Sequence, residues 1–423
     1  MTDLDQKPRL RFKGFTEAWE QRELWELTTW DKKFNGVEAY KQPKSIKYPY
    51  VLADVFNSLE ENSGDVRLLS TGTYVGYTTK EKAGDYLCYG EIVAIPWGGV
   101  ANVKYFNGFF VTSDNRIATS NNKNVLSNKY LKWWMESNLK KIQNAYRGAS
   151  IQHPSMNDIL SLKISLSSTT EQDRIASVFE SIDTLITLHQ RKYEKLKSMK
   201  TALLEKMFPA GNDTSPKIRF KGFTEAWEQR KLKDETSVIT KQTGFDYSST
   251  IKPALVTEKN NDNYPFIQNK DFDGKNINYN TDFYIPISVA HKFPKITLDS
   301  PSLLITISGK IGNIGYFNDK TNAFIGGAVG ICKLRNDNGS FITYSLLSPR
   351  GQRYFNLLVK ASSHANITVE DIRNIEYLCP SDINEELKIV ELFDNVNHLI
   401  TLHQRKCEKL KNLKKSLLER MFI

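Results

Sequence analysis

The twelve residues RFKGFTEAWEQR occur twice in this chain of 423 residues, at Arg11–Arg22 and at Arg219–Arg230. A second repeated pair closes each half, because the stretch 171–208 closely matches the stretch 385–422. The segments that lie between these repeated ends share almost no similarity. The chain is therefore built as two similar frames around two different inserts, and this repetition constrains the architecture before any local prediction.

The closing stretches predict two long helices. Apolar residues recur in 171–208 with a heptad period, and the same stripe returns in 385–422. This period, with Lys and Glu at the other positions, is typical of a coiled coil. A single helix cannot bury such a stripe, so we expect the two helices to pack on each other as an antiparallel coiled coil. The stripe of the first helix comprises Ile175, Val178, Ile182, Leu185, Leu196, Met199 and Leu203.

Polar residues interrupt the stripe at the middle of each helix. In a centred antiparallel pair, His189 lies level with Lys406, and Lys192 lies level with His403. One interpretation is that these side chains bend out to reach water. The other is that they form a polar layer that fixes the register of the helices.

The inserts predict a mixed structure. The runs EIVAI at 91–95 and SLLITI at 302–307 are rich in β-branched and apolar residues, which predicts strands. A glycine-containing turn follows each run, and helical patterns follow near 126–146 and 343–359. The segment 209–216 contains two prolines and a glycine, which predicts the linker between the halves. The fold class is therefore α+β with an internal pseudo-twofold repeat.

Composition and motifs narrow the classes of function. The net charge is +10 and the pI about 9.1, which is compatible with a polyanionic partner. The first insert, 31–166, carries 17 basic and 12 acidic residues, whereas the second, 232–384, carries 16 and 15. The sequence contains neither an apolar run long enough to span a membrane nor a secretory signal. The four cysteines are scattered, so we expect a cytoplasmic protein.

Catalytic motifs are also missing from the sequence. It lacks the signatures of nucleotide-binding, hydrolytic and methyltransferase sites. Its six histidines show no metal-ligand spacing. The sequence therefore favours a non-enzyme, and a nuclease with dispersed carboxylates stays open as the alternative.

The duplicated order of short motif, variable insert and long helix resembles the specificity (S) subunits of type I restriction-modification systems. The resemblance covers essentially the whole chain and is carried by RFKGFTEAWEQR and by the closing motif ITLHQRKxEKLKxxKxxLLE[KR]MF at 186–208 and 400–422. A glycine turn after the strand and a later polar turn, GASIQHPSMNDI at 148–159 and SSHANITVEDI at 362–372, complete it. The first insert departs from the pattern, because Trp97-Gly98-Gly99 stands where Ser308-Gly309 stands in the second.

The resemblance implies a bipartite DNA-reading subunit without catalytic activity. Each insert would be a target recognition domain that reads one half of a split sequence in double-stranded DNA. The helices would set the gap between the half-sites and dock two methyltransferase (M) subunits, with restriction (R) subunits completing the assembly. S-adenosylmethionine, ATP and Mg²⁺ would then belong to the partners and not to this chain.

The predicted domain boundaries follow from this arrangement. They are 1–30 for the first motif, 31–166 for the first recognition domain, 170–208 for the first helix, 209–216 for the linker, 217–231 for the second motif, 232–384 for the second recognition domain and 385–423 for the second helix.

Loops that follow the strands are expected to carry the DNA contacts, because variable loops on a fixed scaffold are the usual way to vary specificity. Arg, Gln and Asn can pair with base edges, while Lys and Ser more often meet phosphate. The candidates in the first half are Lys104, Arg116, Arg147, Ser150, Gln152 and Asn157. The candidates in the second half are Lys310, Asn313, Lys360, Ser363, His364 and Asn366.

An alternative function stays open. The chain could be a coiled-coil interaction scaffold whose two inserts bind proteins. A fused restriction enzyme is a weaker alternative, because it requires the catalytic motifs that the sequence lacks.

Overall fold

The chain folds into two compact units, and each unit takes part of both long helices. A computed structural model describes residues 7–319, 321–361 and 366–422, with the side chains of 360 and 361 left undescribed. Unit 1 comprises Met1–Gln190 and Arg405–Ile423, and unit 2 comprises Arg191–Gln404. The two division points, after Gln190 and after Gln404, fall at the same residue of the repeated stretch ITLHQRK.

Unit 1 contains the first insert. Its strands are β1 (Glu20–Glu23), β2 (Thr28–Trp30), β3 (Val66–Leu69), β4 (Val75–Thr78), β5 (Cys88–Pro96), β6 (Lys104–Thr112), β7 (Asn115–Ser120), β8 (Tyr146–Arg147), β9 (His153–Pro154) and β10 (Lys163–Leu166). Its helices are α1 (Leu24–Leu27), α2 (Ala53–Ser58), α3 (Lys80–Ala83), α4 (Asn128–Ser137), α5 (Leu139–Asn144), α6 (Met156–Leu160) and the first part of α7 (Thr169–Lys206). Short 3-10 turns lie at Ala39–Lys41 and Gly84–Tyr86.

A six-stranded mixed sheet in the order β2-β7-β5-β6-β3-β4 organises unit 1. The central strand β5 contains the predicted EIVAI run, and Ile92 and Ile95 at its core are fully buried. The turn WGGVANV joins β5 to β6 as an antiparallel hairpin. The predicted helix near 126–146 is confirmed as α4 and α5, which are separated at Asn138.

Unit 2 contains the second insert. Its strands are β11 (Glu228–Lys231), β12 (Thr236–Lys241), β13 (Asn263–Ile267), β14 (Phe272–Asp273), β15 (Asn276–Ile277), β16 (Tyr284–Pro286), β17 (Thr297–Leu298), β18 (Ser302–Thr306), β19 (Ile314–Phe317), β20 (Ala323–Ile325), β21 (Val329–Leu334) and β22 (Glu376–Cys379). Its helices are α8 (Leu232–Glu235), α9 (Gly244–Asp246), α10 (Lys252–Ala254), α11 (Ile287–Ala290), α12 (Gly339–Leu347), α13 (Pro349–Ala361), α14 (Val369–Arg373) and the first part of α15 (Ile383–Met421). A π-helical turn lies at Tyr247–Ile251.

Two four-stranded sheets organise unit 2, in the orders β12-β21-β18-β19 and β16-β13-β20-β17. The predicted strand SLLITI forms β18, whose residues are buried along its whole length. Gly309 and Gly312 both have a positive φ angle in the turn from β18 to β19, a conformation that favours glycine. The predicted helix near 343–359 is confirmed as α12 and α13, which are separated just before Pro349 because a proline disfavours helical geometry in the residue that precedes it.

The two long helices pair antiparallel. In unit 1, Cys407 Sγ lies 3.7 Å from the carbonyl oxygen of Ile186, and Lys414 Nζ lies 2.8 Å from the carboxylate of Asp183. Residue numbers therefore rise along one helix as they fall along the other. In unit 2, the rings of Phe208 and Phe393 pack with centroids 5.9 Å apart. The expected antiparallel helix pair is confirmed.

The predicted stripe is only partly buried. Ile175 and Ile182 are buried, as expected, whereas the side chains of Leu185 and Met199 are 43% and 41% exposed. The covered face of α7 continues through the half-buried Ile186, and Leu185 stands one residue, about 100°, away from it. The prediction that Leu185 and Met199 are core residues is therefore wrong.

The repeated motif forms the same joint in both units. Arg11 pairs with Glu171 in the first turn of α7 at 2.7 Å, and Leu10 N donates to Arg420 O at the end of α15 at 2.8 Å. In unit 2, Arg219 pairs with Glu385 at 2.6 Å, in the first turn of α15. Beyond each arginine, the motif pairs with the strand before the helix, β1 with β10 and β11 with β22. Each motif therefore binds the start of one long helix to the rest of its unit.

Candidate nucleic-acid interface

The glycine turn and the polar turn of the first half meet at one surface of unit 1. Gly99 N donates to Gln152 O at 3.0 Å, and His153 Nδ1 lies 2.8 Å from Trp97 O. Because a carbonyl oxygen can only accept, His153 Nδ1 is the donor, and in the neutral ring Nε2 is left as an acceptor. The exposed imidazole therefore presents a hydrogen-bonding group whose orientation the Trp97 turn fixes.

An ion cluster centred on the buried Arg116 packs against the Trp97 ring. The guanidinium of Arg116 lies 4.1 Å from the centroid of the Trp97 ring, and its side chain is only 2% exposed. It pairs with Asp114 at 2.8 Å and with Asp31 at 3.7 Å. Burial raises the pKa of Asp31, although the hydrogen bond from Ile117 N and the charge of Arg116 oppose this shift. Arg116 thus holds the turn by stacking and ion pairing and has almost no surface to offer a ligand.

Lys104 is also a buried residue. It is the first residue of β6, its ammonium donates to Asn102 and to Thr71 O, and burial lowers its pKa to about 8. The prediction that Lys104 and Arg116 lie on exposed loops is wrong, because both are placed in strands with their charged groups turned inward.

The other candidates of the first half are at the surface. Arg147, Ser150, Gln152 and Asn157 are all exposed, and they lie in or beside the polar turn. The guanidinium of Arg147 is 3.0 Å from the carboxylate of Asp158, and water and salt screen such an exposed pair. Whether these four residues contact DNA stays a prediction.

The second half brings its two turns together in the same way. Ser308 and Asn366 form an antiparallel bridge, and Ile367 N donates to Ile307 O at 3.0 Å. Lys310 and Asn366 are exposed. Asn313 is half-buried, and its amide donates to Asn269 O at 3.1 Å and to Phe272 O at 2.9 Å, so it shapes the turn.

Three candidates of the second half lie wholly or partly outside the described residues. Ser363 and His364 lie outside them, and so does the side chain of Lys360, in the last turn of α13. Their contacts with DNA stay predictions from the sequence.

His153 is a further candidate that the sequence reasoning missed. Aligning the two polar turns at Ile159 and Ile372 places His153 opposite Asn366, which was a candidate. The structure agrees, because His153 contacts Trp97 and Asn366 pairs with Ser308 at equivalent turns. The alignment of the two polar turns was therefore the sequence signal that could have identified His153.

The four residues expected to fix the helix register differ in exposure. His189 and His403 are half-buried, whereas Lys192 and Lys406 are exposed. The lysines therefore reach water, as the first of the two interpretations predicts. A register-fixing role for the histidines stays a prediction.

All four cysteines are buried free thiols. Within the described part of the chain, His, Cys, Asp and Glu form no group of three that could hold a metal ion. In the same residues, every helix is too short or too polar to cross a membrane.

Fold and site together define a protein of two units, each of which contains a pair of contacting turns and part of both long helices. The type I restriction modification DNA specificity domain matches the chain twice, at residues 16–198 and 224–412. The chain therefore belongs to the family of type I restriction-modification specificity subunits, as the sequence resemblance predicted.

One solved structure shares the fold, and a second is similar to a lesser degree. The crystal structure of the type I restriction-modification S subunit from M. genitalium is similar with a TM-score of 0.68 and 14% identity, covering 99% of each chain. The HsdS subunit from Thermoanaerobacter tengcongensis is similar with a TM-score of 0.43 and 16% identity, covering 96% of this chain and 97% of the other. The first similarity shows that the two proteins share their fold over 99% of each chain.

Proposed function

We propose that this chain is the non-catalytic specificity subunit of a type I restriction-modification complex and that each unit reads one half of a bipartite DNA target. The observation that carries this proposal is the contrast between frame and insert. The Arg–Glu joints at Glu171 and Glu385 are alike, whereas one insert is a six-stranded sheet and the other contains two four-stranded sheets. A shared frame with different inserts suits a protein that reads two different sequences.

The glycine turn and the polar turn of each half, together called the paired turns, are the surfaces that would meet base edges. In unit 1 the turns expose the amide of Gln152 and the ring of His153, and in unit 2 they expose the amide of Asn366. Such hydrogen-bonding groups can pair with base edges. The cations Arg147 and Lys310 flank them and would meet phosphates. The remaining candidates are Ser150 and Asn157, together with Lys360, Ser363 and His364 from the sequence alone.

The long helices would set the distance between the two half-sites and present a surface to two methyltransferase subunits. Apolar side chains such as Leu185, Met199 and Leu413 are exposed on these helices. They support such docking, because large apolar groups on a charged helix are suited to a protein partner. Restriction subunits would join the complex, and the partners would supply S-adenosylmethionine, ATP and Mg²⁺.

Exchange of one insert tests the proposal. Residues 31–166 are replaced by the corresponding insert of another specificity subunit, and the methylated sequences are determined in cells that contain the methyltransferase partner. One half of the methylated sequence should change while the other half stays as it was. A change in both halves would contradict modular reading.

The alternative, a scaffold whose inserts bind proteins, makes a different prediction. DNA binding through phosphate contacts weakens steeply as salt increases, whereas docking of apolar protein surfaces does not. Binding of the full chain to duplex DNA that is weak and insensitive to salt would favour the scaffold.

A further inference from the structure

A groove with a basic rim runs along the edge strand β2 of unit 1. It has a volume of about 440 Å³, and its floor is formed by Thr28–Trp30 together with residues 119–121 at the end of β7. The loop 41–46 forms the opposite side of the groove. A cavity measured in this way needs only about 10–15 Å³ to hold one water molecule, so the groove has room for a phosphodiester group with its flanking sugars.

The charge of the groove has one sign. Three lysines line it, Lys32, Lys41 and Lys44, and no Asp or Glu is found among its described lining residues. Lys41 is engaged with Glu38 at 3.3 Å and with Ser161 Oγ at 3.1 Å, so its charge is partly neutralised. Lys32 and Lys44 are exposed and provide the cationic rim.

The groove adjoins the paired turns. Lys32 Nζ lies 5.9 Å from the centroid of the Trp97 ring and 5.6 Å from that of Tyr50. A ligand that contacts the Trp97 turn and a ligand that contacts Lys32 can therefore be successive parts of one molecule. The hydroxyl of Ser45 and the amide of Asn121, also in the lining, add neutral hydrogen-bonding groups.

We infer that this groove binds the phosphodiester backbone of duplex DNA next to the half-site that unit 1 reads. The inference rests on the proposed function and adds to it an anchoring surface that is independent of base sequence. Lysine ammonium groups act as point charges on phosphate and carry no base preference. The first insert, with 17 basic and 12 acidic residues, would then supply more of the salt-dependent affinity than the second, with 16 and 15.

The experiment compares two double variants of the full chain. Lys32→Gln/Lys44→Gln removes the rim charges, and Lys33→Gln/Lys47→Gln removes the same charge from exposed neighbours that do not line the groove. Affinity for a random-sequence duplex is measured by fluorescence anisotropy over a KCl series, and base preference is measured by selection from a duplex library. Lys44→Gln alone is included because Lys32 also lies beside the Trp97 ring, so that its loss affects the turn as well. Lys32→Arg/Lys44→Arg tests rescue.

Each lost phosphate contact should reduce the slope of log K against log salt by about 0.9. We expect Lys32→Gln/Lys44→Gln to reduce it by about 1.8 and Lys44→Gln by about 0.9, with the selected sequence unchanged for Lys44→Gln and the slope restored by arginine. The Lys33→Gln/Lys47→Gln control should keep the parental slope.

Two results would overturn the inference while the proposed function stands. One is a parental slope in Lys32→Gln/Lys44→Gln, and the other is an equal loss of slope in the Lys33→Gln/Lys47→Gln control. A parental chain that shows neither salt-dependent binding nor selection of a split sequence would contradict the proposed function itself.

Discussion

Arg11 and Glu171 form a bidentate ion pair between distant parts of the sequence, with Nε and Nη2 of the arginine 2.7 Å and 2.8 Å from the two carboxylate oxygens. The carboxylate is fully buried, and Trp19 Nε1 donates to it as a third group, at 3.2 Å. Arg219 and Glu385 repeat the pair at 2.6 Å and 2.8 Å, but the buried Trp227 Nε1 has no hydrogen-bond partner among the described residues. The second joint therefore depends more on its arginine.

Removal of the arginine should destabilise each joint, because a buried carboxylate is left without its counter-ion. We expect Arg11→Ala and Arg219→Ala to lower the free energy of unfolding by ~3–5 kcal/mol, with the larger loss for Arg219→Ala. Urea titration followed by circular dichroism measures this. The control is Lys82→Ala, which removes an exposed pair with Glu61 and should cost at most about 1 kcal/mol. Equal and small losses in all three variants would show that the joints contribute little.

The ends of the long helices should stabilise the unit in which they pack. Phe422 packs on Tyr130 and Phe179 of unit 1, while Phe208, its counterpart in the repeat, packs on Trp227 and Phe341 of unit 2. Truncation of a buried phenylalanine to alanine costs ~3–5 kcal/mol.

Hydrogen exchange read by mass spectrometry tests this. Phe422→Ala should accelerate exchange in β5–β7, and Phe208→Ala should accelerate it in β18–β21. Each variant is the control for the other. If Phe422→Ala instead loosened β18–β21, the division of the helices between the units would be wrong.

The stability should depend on pH through Glu386. Burial raises the pKa of this carboxyl to about 7 from an ordinary 4.5, Arg230 opposes the shift and Glu235 adds to it. Between these values the folded chain holds a proton that the unfolded chain has released. The free energy of unfolding therefore falls as pH rises from 4.5 to about 7, and the penalty is complete above that.

Glu386→Gln should remove this fall, so its advantage over the parental chain grows as pH rises through that window. The first half already has the amide, since Gln172 is the counterpart and donates to Val125 O and Ser167 O. Urea titrations across the pH range give the measurement. Parallel pH profiles of variant and parent would rule out Glu386 as the source.

The helices should set the gap between half-sites. Four residues inserted after Gln190 and four after Gln404 lengthen both helices at the points where the units divide, so the pairing inside each unit is kept. The added length is about 6 Å, roughly two base pairs, and the added rotation is about 40°. Methylome sequencing should show the gap increased by one or two base pairs with both half-sites unchanged. An unchanged gap would mean that another part of the chain sets the spacing.

Alanine substitutions in the paired turns should distinguish residues that pair with bases from residues that contact phosphate. Replacement of Gln152, His153 or Asn366 by alanine should relax preference at one base and cost ~1–3 kcal/mol of discrimination. Arg147→Ala should weaken binding to all sequences and lower the salt slope by about 0.9. Selection from a duplex library and a salt series give the two readouts. If all four variants kept the parental affinity, slope and preference, the assignment of these turns would be wrong.

Much of the fold was predictable from the sequence because its signals are local or repeated. The runs EIVAI and SLLITI are bounded apolar segments, and both are buried as strands. Pro349 separates two helices, because a proline cannot continue the hydrogen bonding of the helix before it. The heptad stripe predicted two long helices, and the duplication predicted that both halves would use the same frame.

What the sequence could not give depends on which groups approach each other in space. In the sequence Arg116 resembles a surface cation, but in the fold Asp31, from a distant strand end, and the Trp97 ring enclose it. Leu185 fits the heptad and is nevertheless exposed, since it lies about 100° away from the face that neighbouring elements cover. The sequence by itself therefore determined the long helices, two core strands, the duplication and the family, because periodicity and repetition are properties of the chain alone. Only the tertiary structure decided which charges are buried, which apolar residues stay exposed and which turns meet, because burial and pairing depend on contacts between distant segments.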